Sequence, residues 1–144
     1  MRVLLDTNLL ISYLLPSTHP GTIVAVIERA IAGLYTLLLP EDLVAELKDR
    51  ASSKPYLAQR IPPHRILALI ETLRGIAEMV PPLAERFPAI TRDPDDDYLL
   101  SCAMLAAADY LVAGDRDLLM LGDVEGLEIV TPVDFLELLV EGTD

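Results

Sequence analysis

Short, wholly apolar runs bounded by polar or turn-forming residues alternate along this chain with longer stretches whose apolar positions recur at helical spacing. Val3-Leu4-Leu5 is too short and too apolar for anything but a buried strand, and Asp6 or Thr7 can cap the helix after it. From Gly21, the run Ile23-Val24-Ala25-Val26-Ile27 keeps a helical face as far as Ile31 before Gly33 stops it, although its β-branched residues also suit a strand. Tyr35 to Leu39 reads as a second buried strand. Pro40 closes it and stands at the first turn of the next helix, with Glu41 and Asp42 near the positive end of the helix dipole. Leu43, Val44 and Leu47 form one face of that helix, and Glu46 lies within it, a turn after Asp42.

Pro55 and the Pro62-Pro63 pair bound a short segment that reads as hairpin-like, after which Ile66, Leu67, Leu69, Ile70, Leu73 and Ile76 predict an amphipathic helix. Pro81-Pro82 and Pro88 punctuate a loop. Pro94 and the acids Asp95, Asp96 and Asp97 open a helix whose body, Leu99 to Ala108, is almost entirely apolar and therefore buried. Tyr110 to Val112 and Leu127 to Val130 read as further strands, and Pro132 starts a terminal helix through Phe135, Leu136, Leu139 and Val140. Strands separated by helices predict a three-layer α/β/α fold, a central parallel sheet with helices on both faces.

Composition narrows the picture. A chain of 144 residues is long enough for one domain that buries roughly 68–70% of its unfolded surface. With 52% hydrophobic and 24% charged residues it is globular, and with only 5% aromatics its core is aliphatic. Cys102 is the lone cysteine, which excludes an internal disulfide and thiolate-rich zinc sites and fits a reducing, cytoplasmic setting. The apolar stretch from Leu9 to Leu15 after Arg2 faintly resembles a signal peptide, but Asp6 interrupts the N-terminal run and Pro16 ends it without a small-residue cleavage site, so export is not expected. No apolar run reaches the ~18 residues of a membrane span. The net charge of −12 opposes broad affinity for nucleic acid, yet five of the eleven basic residues, Lys48, Arg50, Lys54, Arg60 and Arg65, fall in one segment that can line one rim of a site.

Four acids sit where an α/β protein places its chemistry. Asp6 and Asp115 both follow apolar strands, so a parallel sheet delivers them to the same carboxyl edge. Glu46 and Asp97 belong to helices near comparable junctions. Each acid alone has a plainer explanation: Asp6 as a helix cap, Asp95 to Asp97 as complements of a helix dipole, Asp115 and Asp117 as turn residues, Glu46 on a solvated face. Convergence of four is harder to explain that way. Oxygen ligands without cysteine, and with only His19 and His64 in the chain, suit Mg²⁺ or Mn²⁺. Two such ions ~4 Å apart support phosphodiester hydrolysis.

Competing classes fail on specific residues. Phosphoryl-accepting receivers and haloacid-dehalogenase-like phosphatases need a late lysine, whereas the only lysines are Lys48 and Lys54, and the phosphatase motif needs an acid where Asn8 stands. No glycine-rich phosphate loop is present. Ser17, Ser52, Ser53 and Ser101 have no evident histidine and acid partners in sequence.

The stretches Leu4-Leu5-Asp6-Thr7-Asn8-Leu9-Leu10-Ile11, Asp97-Tyr98-Leu99-Leu100-Ser101-Cys102-Ala103 and Asp109-Tyr110-Leu111-Val112-Ala113-Gly114-Asp115-Arg116-Asp117-Leu118-Leu119, with Glu46 between, resemble a PIN domain of the kind found in prokaryotic toxin-antitoxin toxins. The resemblance spans nearly the whole chain. It implies a Rossmann-like sheet and a metal-dependent endoribonuclease with Asp6, Glu46, Asp97 and Asp115 as the acidic, metal-holding site. Thr7, Asn8, Asp96 and Asp117 would support it, Asp96 competing with Asp97 for the third role. The resemblance also implies an RNA substrate, an antitoxin partner and a homodimer. One departure is Ala113, where many relatives carry a hydroxyl two residues before the fourth acid. A PIN-like module that binds RNA or protein without efficient cleavage is the alternative.

Overall fold

In the computed structural model, which describes residues 1–15, 21–83 and 94–141, the first apolar run becomes the middle of the sheet. Ser17, His19, Pro88 and the Asp95 side chain lie outside the described residues. The described residues run β1 (Arg2–Leu5), α1 (Thr7–Leu14), α2 (Thr22–Ile31), β2 (Thr36–Pro40), α3 (Glu41–Ser53), α4 (Pro55–Arg60), α5 (Pro63–Ile76), β3 (Glu78–Val80), α6 (Pro94–Leu105), β4 (Tyr110–Val112), α7 (Arg116–Leu119), β5 (Asp123–Val124), β6 (Leu127–Val130) and α8 (Pro132–Glu141). The strand order is β3-β2-β1-β4-β6-β5. Every pairing is parallel except that of β5 with β6. No helix among the described residues is long and apolar enough to cross a membrane.

The ambiguous segment after Gly21 is helical, because its apolar residues recur at a period that buries Val26, Ile27 and Ala30 together. Gly33 ends it with φ of +80°, a conformation glycine adopts without strain. The three-layer arrangement around a mostly parallel sheet is as expected, two local readings are corrected, and one edge strand is added to the sheet. The segment between Pro55 and Pro62 is the short helix α4 and not a hairpin: Pro55 at its first position presets φ, and Leu57 is the residue it buries. Between the helix ending at Ile76 and the proline loop stands the strand β3, whose three residues carry too little pattern to announce themselves. The sheet is also not purely parallel. Glu125 and Gly126, both at positive φ, form a tight two-residue turn that folds β5 back onto β6.

The core is aliphatic, as the composition implies, with Phe135 its largest fully covered side chain. Phe135 comes from α8 and meets the ring of Tyr35 edge-on, centroids 5.0 Å apart, and that of Tyr110 at 6.2 Å. Tyr35 donates its hydroxyl to the Val26 carbonyl at 2.7 Å, and burial pushes its phenol well above the ordinary range. Tyr35→Phe removes that hydrogen bond, a second one to a carbonyl inside α2, so it should lower stability by about 1–2 kcal/mol. For a chain of this length that is roughly 2–8 °C in melting temperature, readable by circular dichroism.

The parallel pairing sets up the site. Each of β1, β2, β4 and β6 ends at the same edge, and the Asp6 N–H donates to the Val112 carbonyl at 3.0 Å while the Ala113 N–H donates to the Val130 carbonyl at 3.0 Å. The ends of β1 and β4 are thus stitched side by side. At the opposite edge Arg2 donates through Nε and Nη2 to the Ala106 carbonyl, at 3.1 and 2.6 Å, closing the turn between α6 and β4.

Candidate active site

Asp6 leaves β1 and caps α1, its carboxylate accepting from the Asn8 N–H at 3.3 Å. It is only 3% exposed. Burial holds its carboxyl above the usual carboxylate range, and the nearby charge of Asp115 pushes the same way, against the Asn8 hydrogen bond and the charge of Arg50. Asp115 leaves β4 and caps α7 in the same manner, accepting from the Asp117 N–H at 2.8 Å. Two strand ends, two caps and two carboxylates that feel each other follow from one cause, the parallel pairing of β1 with β4. The helix that starts at Asp115 has no counterpart in the sequence pattern, because a single turn with one buried residue, Leu118, has no periodicity to read.

Glu46 joins from α3. Thr7, 1% exposed, donates Oγ1 to Glu46 Oε2 at 3.2 Å. The other oxygen, Oε1, lies 2.7 Å from Nη2 of Arg50, and Nη1 of the same guanidinium donates to Asn8 Oδ1 at 3.0 Å. Asp42, Glu46 and Arg50 stand one helical turn apart and so share a face of α3. Sequence reasoning misses Asp42 as part of this region, although its spacing from Glu46 is the signal that could find it. It accepts at 2.9 Å from the Tyr98 hydroxyl of α6, a phenol kept protonated by burial and by its contacts with Cys102 and Asp42.

Asp97 and Asp96 lie in the first turn of α6, 3% and 6% exposed. Because α6 leads into β4, its start lies toward the edge where β4 ends. The Tyr98–Asp42 bond ties that start to the beginning of α3. Ser101, one turn beyond Asp97, carries a buried hydroxyl without a hydrogen-bond partner. Among the described residues no three acidic, histidine or cysteine side chains already close on one point as a cation cage. The donors at hand are nevertheless all hard oxygens beside a buried carboxyl under repulsion from another, the setting that a divalent ion relieves.

The basic segment divides. Arg50 is within the acidic site, and Arg65 donates to the Leu14 carbonyl at 2.7 Å, at the far end of α1. Lys48 is exposed but stands about 200° around α3 from Glu46. Lys54 and Arg60 are exposed at the α3–α4 corner, where the Arg60 guanidinium lies 4.6 Å from the centre of the exposed Tyr56 ring.

A mostly parallel α/β domain with acids gathered at the carboxyl edge around the first strand defines the class. A sequence model of the PIN domain matches residues 2–117, and the chain belongs to the PIN domain family. Among solved structures it is similar to a chain of VapBC2 from Rickettsia felis bound to a DNA fragment from their promoter, at 14% identity over 90% of this chain and 97% of that one, TM-score 0.59. It is also similar to the PIN domain of human SMG5, at 16% identity over 96% of this chain and 98% of that one, TM-score 0.49. Among curated proteins none matches.

Proposed function

We propose that the chain is a Mg²⁺- or Mn²⁺-dependent endoribonuclease, the toxin of a toxin-antitoxin pair. The observation that carries the reading is the juxtaposition of Asp6 and Asp115, from the two ends of the matched region, at the edge of a PIN-family sheet. Asp6, Glu46, Asp97 and Asp115 would hold the ion, which when bound supplies the Lewis acidity for hydrolysing an RNA phosphodiester. Thr7 fixes the rotamer of Glu46 by its hydrogen bond. The Asn8 N–H anchors the Asp6 carboxylate, and the Asp117 N–H does the same for Asp115. Ser101 offers its buried hydroxyl one turn from Asp97. A protein antitoxin covering the acidic edge is the partner we propose, by analogy with the VapBC2 assembly, together with a homodimer of the chain itself.

The second reading, a binding module with weak cleavage, draws on Ala113, which is fully covered and offers no hydroxyl at the end of β4. Incubating the purified chain with structured RNA in Mg²⁺, Mn²⁺ or chelator decides between them. Metal-dependent cleavage supports the nuclease; binding without cleavage supports the module.

An acidic protein still has to hold a polyanion, and we assign that to Lys54 and to Arg60, exposed together at the α3–α4 corner beside Tyr56. Replacing both Lys54 and Arg60 by Ala should weaken RNA binding and lower the slope of log affinity against log salt by about 1.4, at ~0.7 for each phosphate neutralised on a single strand. Lys48→Ala should leave the slope unchanged. The reverse order would place the track on the other side of α3.

A further inference from the structure

Arg50 follows Glu46 at the spacing of a helical surface pair, and an exposed pair of that kind contributes little. Two features set this one apart. The two side chains are only 22% and 23% exposed. The guanidinium divides its nitrogens between elements, Nη2 to Glu46 on α3 and Nη1 to Asn8 in the first turn of α1. A single fixed cation thereby holds one of the acids proposed to bind a divalent ion and ties it to the helix that follows Asp6.

We infer that Arg50 is a resident cation of the acidic site, competing with the divalent metal for Glu46, so that metal entry requires the Arg50–Glu46 pair to open. The inference rests on the metal-dependent reading and adds to it that the chain carries its own internal brake on metal binding. The Glu46 carboxylate cannot give Oε1 to a metal while that oxygen holds the guanidinium at 2.7 Å, and a positive charge left within a few Å still opposes an incoming dication.

The test is direct Mn²⁺ binding to the full chain at fixed ionic strength, followed by loss of the free-ion paramagnetic resonance signal. Arg50→Gln should bind Mn²⁺ about tenfold tighter than wild type, since it removes a unit charge at short range. Arg50→Lys keeps the charge and should stay near wild type. Asn8→Ala unhooks the same guanidinium without touching an acid and should tighten binding by about threefold, the worth of one hydrogen bond; it covers the case in which Arg50→Gln does not fold. Equal or weaker Mn²⁺ binding in Arg50→Gln and Asn8→Ala, with wild type binding normally, overturns the role of Arg50 and leaves the metal reading standing. No Mn²⁺ binding by any of the proteins overturns both.

Discussion

Asp6→Asn and Asp97→Asn should each lower the rate of RNA cleavage by about two to three orders of magnitude, because each takes a ligand charge from the site proposed to hold the cation. For Asp6 the chemistry can be separated from the fold. The side chain also caps α1 through Asn8, and asparagine caps a helix about as well as aspartate. Asp6→Asn should therefore fold normally and be inactive, whereas Asp6→Ala should be inactive and also lose about 1 kcal/mol of stability with the cap. Cleavage of a structured RNA and a melting curve on the same samples read the two effects. Activity within about tenfold of wild type in Asp6→Asn would remove Asp6 from the chemistry. For α6 the informative comparison is Asp97→Asn with Asp96→Asn, since both side chains are buried in its first turn. A large loss only in Asp96→Asn would move the third ligand by one residue.

The second large effect is on stability. A metal that binds only the folded chain stabilises it by about 2.7 kcal/mol at a hundredfold excess over its dissociation constant, roughly 5–11 °C for a chain of this length. Wild type should show that rise with Mn²⁺, and Asp6→Asn should show little of it. In chelator the order reverses. The Asp6 carboxyl titrates above its ordinary value in the folded chain, chiefly through burial, so the folded state takes up a proton more readily than the unfolded one. Its contribution is most favourable below the unfolded value of 3.8 and is lost as pH rises through the folded value. At neutral pH the buried Asp6 carboxyl is a burden that Asp6→Asn lacks. The mutant should then melt above wild type without metal, and the gap should close as the pH approaches 4. A gap that widens on acidification would mean that Asp6 is stabilised, not strained, by its surroundings.

Much of the fold is legible in the chain because sheet burial is written in runs. Val3 to Leu5, Leu37 to Leu39 and Leu111 to Val112 are covered on both faces, and such strands announce themselves as unbroken apolar stretches. Once they are parallel, the meeting of Asp6 and Asp115 needs no further information. What stays hidden is short or depends on helix phase across two elements. The β3 and β5 strands pair three and two residues with their neighbours, too few for a period to show. In the sequence Arg50 is one of five clustered bases, and only the packing of α1 against α3 turns it toward Asn8 and Glu46. Lys48, two residues earlier, points away for the same reason. The choice between Asp96 and Asp97 is not made by burial, since the first turn of α6 covers both.

The pairing of Val3 with Tyr110 and of Leu5 with Val112 has a consequence for how the protein comes into being. The central strand finds its second neighbour only after most of the chain has been made, since the elements from α1 to α6, with β2 and β3 among them, separate β1 from β4. A nascent chain that has emerged as far as β3 carries Asp6 and Glu46 but neither Asp97 nor Asp115, so it holds half of the acids and no closed edge to mount them on. Pairings this distant in sequence also make for slow folding. The acidic edge proposed as the site is thus complete only once β4 has paired with β1, late in the making of the chain.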